Sequence, residues 1–248
     1  MFVAAAAILG LIFGSFLNAL VFRAHADIPM TGRSKCVKCE IPIDARDLVP
    51  VLSFILLRGR CRACKQMISW QYPLVEFATA VTFVLLALYA SDLSTFIAQA
   101  IITLFLIIIF VYDFQYSYIL DRFTFPAMML AVVFNFALGA VSASSMLLGA
   151  ILLGGFFFVQ YAVSRGRWIG GGDIRMGVLM GLWLGLERGL LATLIAYVIG
   201  ALVGIGLLLL RHKRLDSHIP LGTFLAVGTF VSMIWGQEII VWYLGYFL

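Results

Sequence analysis

Charge is what this chain has least of. Only 12% of its 248 residues are Asp, Glu, Lys or Arg, while 63% are hydrophobic and the mean hydropathy is +1.08. That excludes an ordinary soluble domain. It predicts an all-α polytopic membrane protein, long enough for one helical domain and a modest extramembrane insertion. No basic residue precedes the first apolar stretch, Met1 to Val21, and that stretch flows through Phe22 into Arg23 without a clear small-residue cleavage site. A secretory signal peptide is therefore not expected, and the stretch reads as a retained first span. No G-x-G-x-x-G follows a strand, so a nucleotide-binding fingerprint is missing. No convincing internal repeat suggests the paired halves of an alternating-access transporter. The formal charge of +5 does not point to nucleic acid, because basic residues in a membrane chain mark cytoplasmic loops.

What is present is a series of apolar runs. They predict helices at roughly 2–22, 73–91, 94–112, 123–141, 145–163, 174–187, 189–210 and 220–246, about eight transmembrane segments, the sixth of them short for a span. The expected organisation is a first transmembrane helix at 1–22, a polar cysteine-rich segment at 23–71 and a transmembrane domain at 72–248. Nine of the seventeen basic residues lie in 23–71. Arg122 lies in the next loop on the same side, Arg165, Arg167 and Arg175 in the one after, and Arg211, Lys213 and Arg214 in 211–219. Only Arg188 falls opposite. By the positive-inside rule the crowded side is cytoplasmic, which leaves both termini extracytoplasmic.

Two acids stand out against this background. Asp113 ends the run Ile101 to Tyr112, and Asp173 follows Gly170-Gly171-Gly172 and opens another apolar run. A carboxylate at the edge of hydrocarbon is costly unless it is paired, solvated or used, so each is a functional candidate. The charge pattern puts both on the cytoplasmic side. Two carboxylates within reach of each other share a proton. The ionised one can take a proton from water while the protonated one donates to a carbonyl. A tetrahedral intermediate follows without a covalent acyl-enzyme, and the pair titrates as a unit. Gly170 to Gly172 allow unusual backbone angles and the close approach of another backbone. They also open a helix whose N-terminal dipole favours negative charge. Simpler readings stand beside these. Gly-Gly-Gly-Asp can be a turn with an aspartate cap. Asp113 can face water or pair with Arg122. Asp121, eight residues after Asp113, reads as a helix cap or an arginine partner, or as support for the pair.

All four cysteines fall in the polar segment, as Cys36-Val-Lys-Cys39 and Cys61-Arg-Ala-Cys64. Two C-x-x-C pairs at this spacing form a zinc-ribbon-like pattern, in which four thiolates close a tetrahedral structural shell and fold a segment too small for its own core. Lys35, Lys38, Arg62 and Lys65 would help keep the thiolates deprotonated. The alternative is two disulfides or unconnected thiols, which a reducing cytoplasmic side disfavours.

In order and spacing these motifs resemble the bacterial type IV prepilin peptidase family, the leader peptidase–methyltransferases. Gly14-Ser15-Phe16-Leu17-Asn18 with Arg23, the two cysteine pairs, Tyr72-Pro73-Leu74-Val75-Glu76, Asp113 with Asp121, Gly170-x-Gly172-Asp173 followed by Arg175, and Ile219-Pro220-Leu221-Gly222 carry the resemblance over nearly the full length. It implies an aspartic peptidase of the bacterial inner membrane, facing the cytoplasm, with Asp113 and Asp173 catalytic and Asp121, Gly170 and Gly172 in support. Its substrates would be prepilins and type II secretion pseudopilins, cut after a glycine between a basic leader and an apolar helix held in membrane lipid. It also implies N-methylation of the new terminus with S-adenosylmethionine as donor, the cysteine segment being associated with that activity. The chain departs from the family pattern in Leu120 before Asp121, and in Val37-Lys38 within the first cysteine pair.

Asn18 and Glu76 are polar residues within or at the edge of spans and are expected to hydrogen-bond between helices, Glu76 with a possible cofactor or substrate contact. Asp27, Glu40, Asp44, Asp47, Asp121 and Asp216 are candidates to receive a basic leader, or are ordinary solvated charge. His25, His212 and His218 lie in or beside predicted loops and read as solvated. The glycines from Gly149 to Gly155 and from Gly200 to Gly206 read as close helix packing. Two rival functions fit parts of the pattern: a presenilin-like intramembrane protease, and a transporter whose paired acids relay protons.

Overall fold

A computed structural model describes residues 1–210 and 220–246. The expected features of loop 211–219, namely Arg211, Lys213, Arg214, His212, His218, Asp216 and Ile219, lie outside the described residues. The helices are α1 (Phe2–Ala26), α2 (Leu52–Leu56), α3 (Gln71–Tyr89), α4 (Leu93–Tyr116), α5 (Asp121–Leu138), α6 (Ala143–Ser164), α7 (Gly171–Leu209) and α8 (Leu221–Gly245). All except α2 are long and apolar enough to cross a membrane, seven in all among the described residues. The chain is an all-helical, multi-pass membrane protein. It divides into two compact units, Met1–Ala100 and Ile101–Leu248, with the division inside α4.

In the first unit α1 packs on α3. Small residues set the distance: a methyl group on Gly10 would lie 2.6 Å from the Ala80 Cα, and one on Gly14 2.6 Å from the Glu76 Cα. Without a hydrophobic drive between helices in lipid, such close backbone approach supplies the packing. Asn18, only 2% exposed, donates from Nδ2 to the Tyr72 carbonyl at 3.1 Å and accepts from Gln71 Nε2 at 3.4 Å, the expected interhelical bond. The start of α4 is held by Asp92. Its Oδ1 accepts from the Ser94 and Thr95 amides at 2.8 and 3.0 Å, filling donors that an open helix end leaves unpaired.

The second unit is built around α7. A straight helix of 39 residues would run about 58 Å, nearly twice the hydrocarbon thickness of about 30 Å. It does not stay straight. Gly185 takes φ 75° and ψ −170°, which breaks the helix and suits glycine alone. A methyl group on Gly189 would lie 3.7 Å from the Met180 carbonyl oxygen. Nine residues of straight helix would hold those positions about 13 Å apart, so the two arms fold back on each other. Each arm carries one of the runs expected at 174–187 and 189–210, and the joint falls at Gly185 rather than at Arg188. The backbone groups freed there are satisfied. Asn135 Nδ2 donates to the carbonyls of Leu182 and Trp183 at 2.8 and 3.0 Å, and Ser145 Oγ accepts from the Leu186 amide at 3.0 Å. The glycine expectation also holds in part: Gly149 meets Gly181 and Gly185 backbone-to-backbone, and Gly200 lies against Phe224, whereas Gly155 and Gly206 face open space.

Candidate active site and metal centre

In the second unit, the ends of three helices meet around Asp113. The residue lies near the last turn of α4, is 4% exposed, and points at the start of α8. Its Oδ2 accepts from the Thr223 amide at 2.8 Å and from the Thr223 hydroxyl at 3.2 Å. The opening amides of a helix are unpaired donors with a partial positive charge, so they hold a carboxylate there, and no cationic side chain pairs with it among the described residues. Asp113 neither faces water nor pairs with Arg122.

Asp173 is 7% exposed in the first turn of α7. Its Oδ2 accepts from the Gly170 amide at 2.9 Å, while the Gly170 carbonyl accepts from the Asp173 amide at 3.2 Å. This reciprocal pair fixes the entry to the helix, and Gly170 rather than Asp173 occupies the cap. The carboxylate that closes this turn is also the second acid of the candidate pair. The glycine turn that starts α7 also places its carboxylate, within electrostatic reach of Asp113.

One side chain touches both helix starts. Ile119, 3% exposed in the α4–α5 connection, lies against Gly172 and Gly222. A methyl group on Gly172 would come 2.7 Å from Ile119 Cβ. One on Gly222 would come 2.6 Å from Ile119 Cδ1 and 2.9 Å from Asp113 Oδ2. Asp121 begins α5 after Leu120 at the cap, and it forms an ion pair with Arg175 rather than Arg122. Arg175 also bonds the Gly171 carbonyl at 3.3 Å. Asp121 is therefore tied to the same glycine turn. Thr223, Gly222 and Ile119 escaped the sequence reading as site residues. The Pro220-Leu221-Gly222 helix start was the one available signal.

In the first unit the four cysteines converge, their Sγ atoms all within 4.8 Å of one another and those of Cys36 and Cys64 3.9 Å apart. Tetrahedral thiolates bound at about 2.3 Å from a central ion sit about 3.8 Å apart, so the cluster can hold a metal ion. The two knuckles share one backbone pattern. The Cys36 and Cys61 amides donate to Ile41 and Gln66 at 3.0 and 2.9 Å, and Glu40 and Lys65 follow with φ 56° and 61°. The Cys39 amide holds the Cys36 thiol down at about 7. The Ile41 amide acts in the same direction on Cys39, but desolvation and its thiol neighbours Cys36 and Cys64 outweigh it and push Cys39 up to about 11. Beside the knuckles, Arg62 donates to Asp47 through both Nε and Nη2 at 2.7–3.2 Å and holds that carboxyl below its usual range. Asp44 pairs with Arg46.

Glu76 anchors this segment to α3. It is 6% exposed, and its Oε2 accepts from the Val51 amide at 2.7 Å. Val51 has φ 59° and ψ −49°, a conformation that costs a β-branched residue about 1–3 kcal/mol. A cavity of about 870 Å³ opens between α1, the cysteine segment and the first turns of α3, lined by Ser15, Ala19, Arg23, Phe54, Tyr72 and Glu76 among others.

The chain is similar to known proteins over most of its length. Residues 8–90 match the bacterial peptidase A24 N-terminal domain, and residues 100–205 match the type IV leader peptidase family. A prepilin leader peptidase/N-methyltransferase of Aeromonas hydrophila is 31% identical over 88% of this chain and 77% of its own length. One of Pseudomonas putida is 31% identical over 96% and 92%, and one of Legionella pneumophila is 32% identical over 87% and 77%. No solved structure matches.

Proposed function

Because the chain belongs to the type IV leader peptidase family, we propose that it removes the basic leader of type IV prepilins and type II secretion pseudopilins after a glycine, and N-methylates the exposed residue with S-adenosylmethionine. The observation that carries the peptidase reading is that two buried carboxylates, Asp113 and Asp173, lie within electrostatic reach of each other on helix ends, with no cationic side chain paired to either among the described residues. Each is positioned through Oδ2 by backbone amides, so neither depends on a mobile side-chain partner. Sharing one proton, they act together. The ionised member takes a proton from water. The other donates to the scissile carbonyl as the water oxygen attacks its carbon, and the tetrahedral intermediate collapses as the proton taken from water passes to the departing amine and the C–N bond breaks. Asp121 supports the pair through Arg175 and the glycine turn at Gly170 to Gly172.

The scissile bond of such a substrate lies between a basic leader and an apolar helix, hence at the membrane surface. That agrees with acids at helix ends and with a cytoplasmic active side in the inner membrane, both termini being extracytoplasmic. The domain organisation follows: a first span at 1–22, a cysteine segment at 23–71 and a peptidase domain at 72–248. The cysteines would hold zinc. That ion, when bound, supplies a closed structural shell, and the chain supplies the thiolates and the knuckle amides that orient them.

The test is cleavage of a prepilin by full-length protein. Asp113→Asn and Asp173→Asn should each reduce it to background while the protein still inserts. Retained cleavage in either variant refutes the paired mechanism. Mass spectrometry of the wild-type product formed with labelled S-adenosylmethionine reports methylation in the same reaction.

A further inference from the structure

The cavity of about 870 Å³ in the first unit is lined by neither aspartate of the candidate pair. Its volume is in the range of cofactor-sized sites, about 300–1,000 Å³. Its wall carries Glu76, a carboxylate 6% exposed on a helix whose other buried residues are Pro73, Thr79, Ala80, Phe83 and Leu86. A buried carboxylate needs compensation. Glu76 receives the Val51 amide, and Ser15 also lies within bonding reach, but no cationic side chain forms an ion pair with it among the described residues. The Val51 backbone is held in a disfavoured conformation to make its bond, and such outliers gather at ligand sites.

The remaining walls are unlike a lipid groove. Aromatic faces come from Phe54 and Tyr72, and the Phe54 ring packs against Trp70 at 4.9 Å between centroids, which fixes its orientation. Arg23 donates to the carbonyls of Met30 and Gly32, both at 2.6 Å, and so holds the loop after α1 in place along one side. A buried carboxyl group, flat apolar rings and basic residues such as Lys35 along the lining suit a ligand with a cationic centre, an aromatic base and a carboxylate.

We propose that this cavity binds S-adenosylmethionine, with the Glu76 carboxylate facing the ligand's cationic end. This rests on the N-methyltransferase reading above and adds a place and a recognition residue to it. The chemistry makes a sharp demand. S-adenosylhomocysteine has the same base, sugar and amino acid but no charge on sulfur, so an anionic wall should prefer the methyl donor to its product.

Equilibrium dialysis of full-length protein with each compound tests this. Wild type should bind S-adenosylmethionine at least tenfold more tightly than S-adenosylhomocysteine. Glu76→Gln keeps an acceptor for the Val51 amide and loses only the charge, so it should erase the preference. Ala19→Trp fills the cavity and should weaken both ligands tenfold or more, with metal content and melting temperature as folding checks. If wild type binds and both variants keep its two dissociation constants, the cavity is not the site and the methyltransferase reading stands. If Ala19→Trp does not fold, the Glu76→Gln ratio decides. If wild type binds neither compound and yields no methylated product, the methyltransferase reading itself falls.

Discussion

Gly222→Ala is a one-atom probe of how the pair is held. The added methyl would sit 2.6 Å from Ile119 Cδ1 and 2.9 Å from Asp113 Oδ2. Ordinary carbon–carbon contact is about 3.5–4.0 Å, so something must move by about 1 Å. Ile119 is buried and the start of α8 carries the Thr223 bonds to Asp113, so the movement passes to the carboxylate. A misplacement of about 1 Å in a catalytic group lowers turnover about 10²-fold, and overpacking costs about 1–3 kcal/mol of stability. The assay is prepilin cleavage at saturating substrate, alongside thermal unfolding. Ile119→Val removes Cδ1 and little else, at about 0.5–1.5 kcal/mol, so added to Gly222→Ala it should recover part of the lost rate. The same change should not rescue Gly172→Ala, whose methyl would meet Ile119 Cβ at 2.7 Å, an atom valine retains. Near-full activity of Gly222→Ala, or equal rescue of both glycine variants, would refute the reasoning.

Other perturbations act elsewhere. Gly185→Ala puts a side chain at φ 75° with its methyl 2.6 Å from Ser145 Oγ, and should destabilise by about 1–3 kcal/mol; an unchanged unfolding midpoint would count against the bend. Asp92 at the start of α4 is held down to about 2, first by the Thr95 amide and then by the Thr95 and Ser91 hydroxyls. Its lowered value means the stabilisation is present above about pH 4 and is lost as pH falls toward 2. The deficit of Asp92→Ala should therefore shrink over that window, and a deficit constant with pH would exclude a charge effect. Metal analysis of purified protein should find about one zinc per chain, and none once all four cysteines are replaced by serine; reduced thiols with no metal in the wild type would overturn the zinc reading.

The chemistry-bearing residues were legible because they contrast with their surroundings. Asp113 and Asp173 are carboxylates among apolar residues, and the cysteines stand at ligand spacing in the chain's polar segment. What holds them was not legible. Thr223 reaches Asp113 across 110 residues of sequence, and the amide it offers has no side-chain signature. Ile119 and Gly222 look like any lipid-span residues. Arg175 was noted only as a basic neighbour of the glycine turn, and its pairing with Asp121 depends on α5 and α7 starting side by side. Gly185 sits in a glycine-rich apolar run, so sequence could place the break only near the charge at Arg188. Asn18 was read correctly because a buried amide in a span has to find a partner.

The matching knuckles have a consequence for assembly. Cys36 and Cys61, Glu40 and Lys65, and the bridges Lys35–Pro42 and Arg60–Met67 all recur at one fixed interval along the chain. The segment is thus two copies of one small half-site, each offering two thiolates. A chain with one half-site destroyed keeps an intact half-shell, which can be completed by the intact half-site of a second molecule. A variant lacking Cys61 and Cys64 would then be joined into pairs by zinc and parted again by a chelator, so damage here would appear as a change of subunit number as well as of fold.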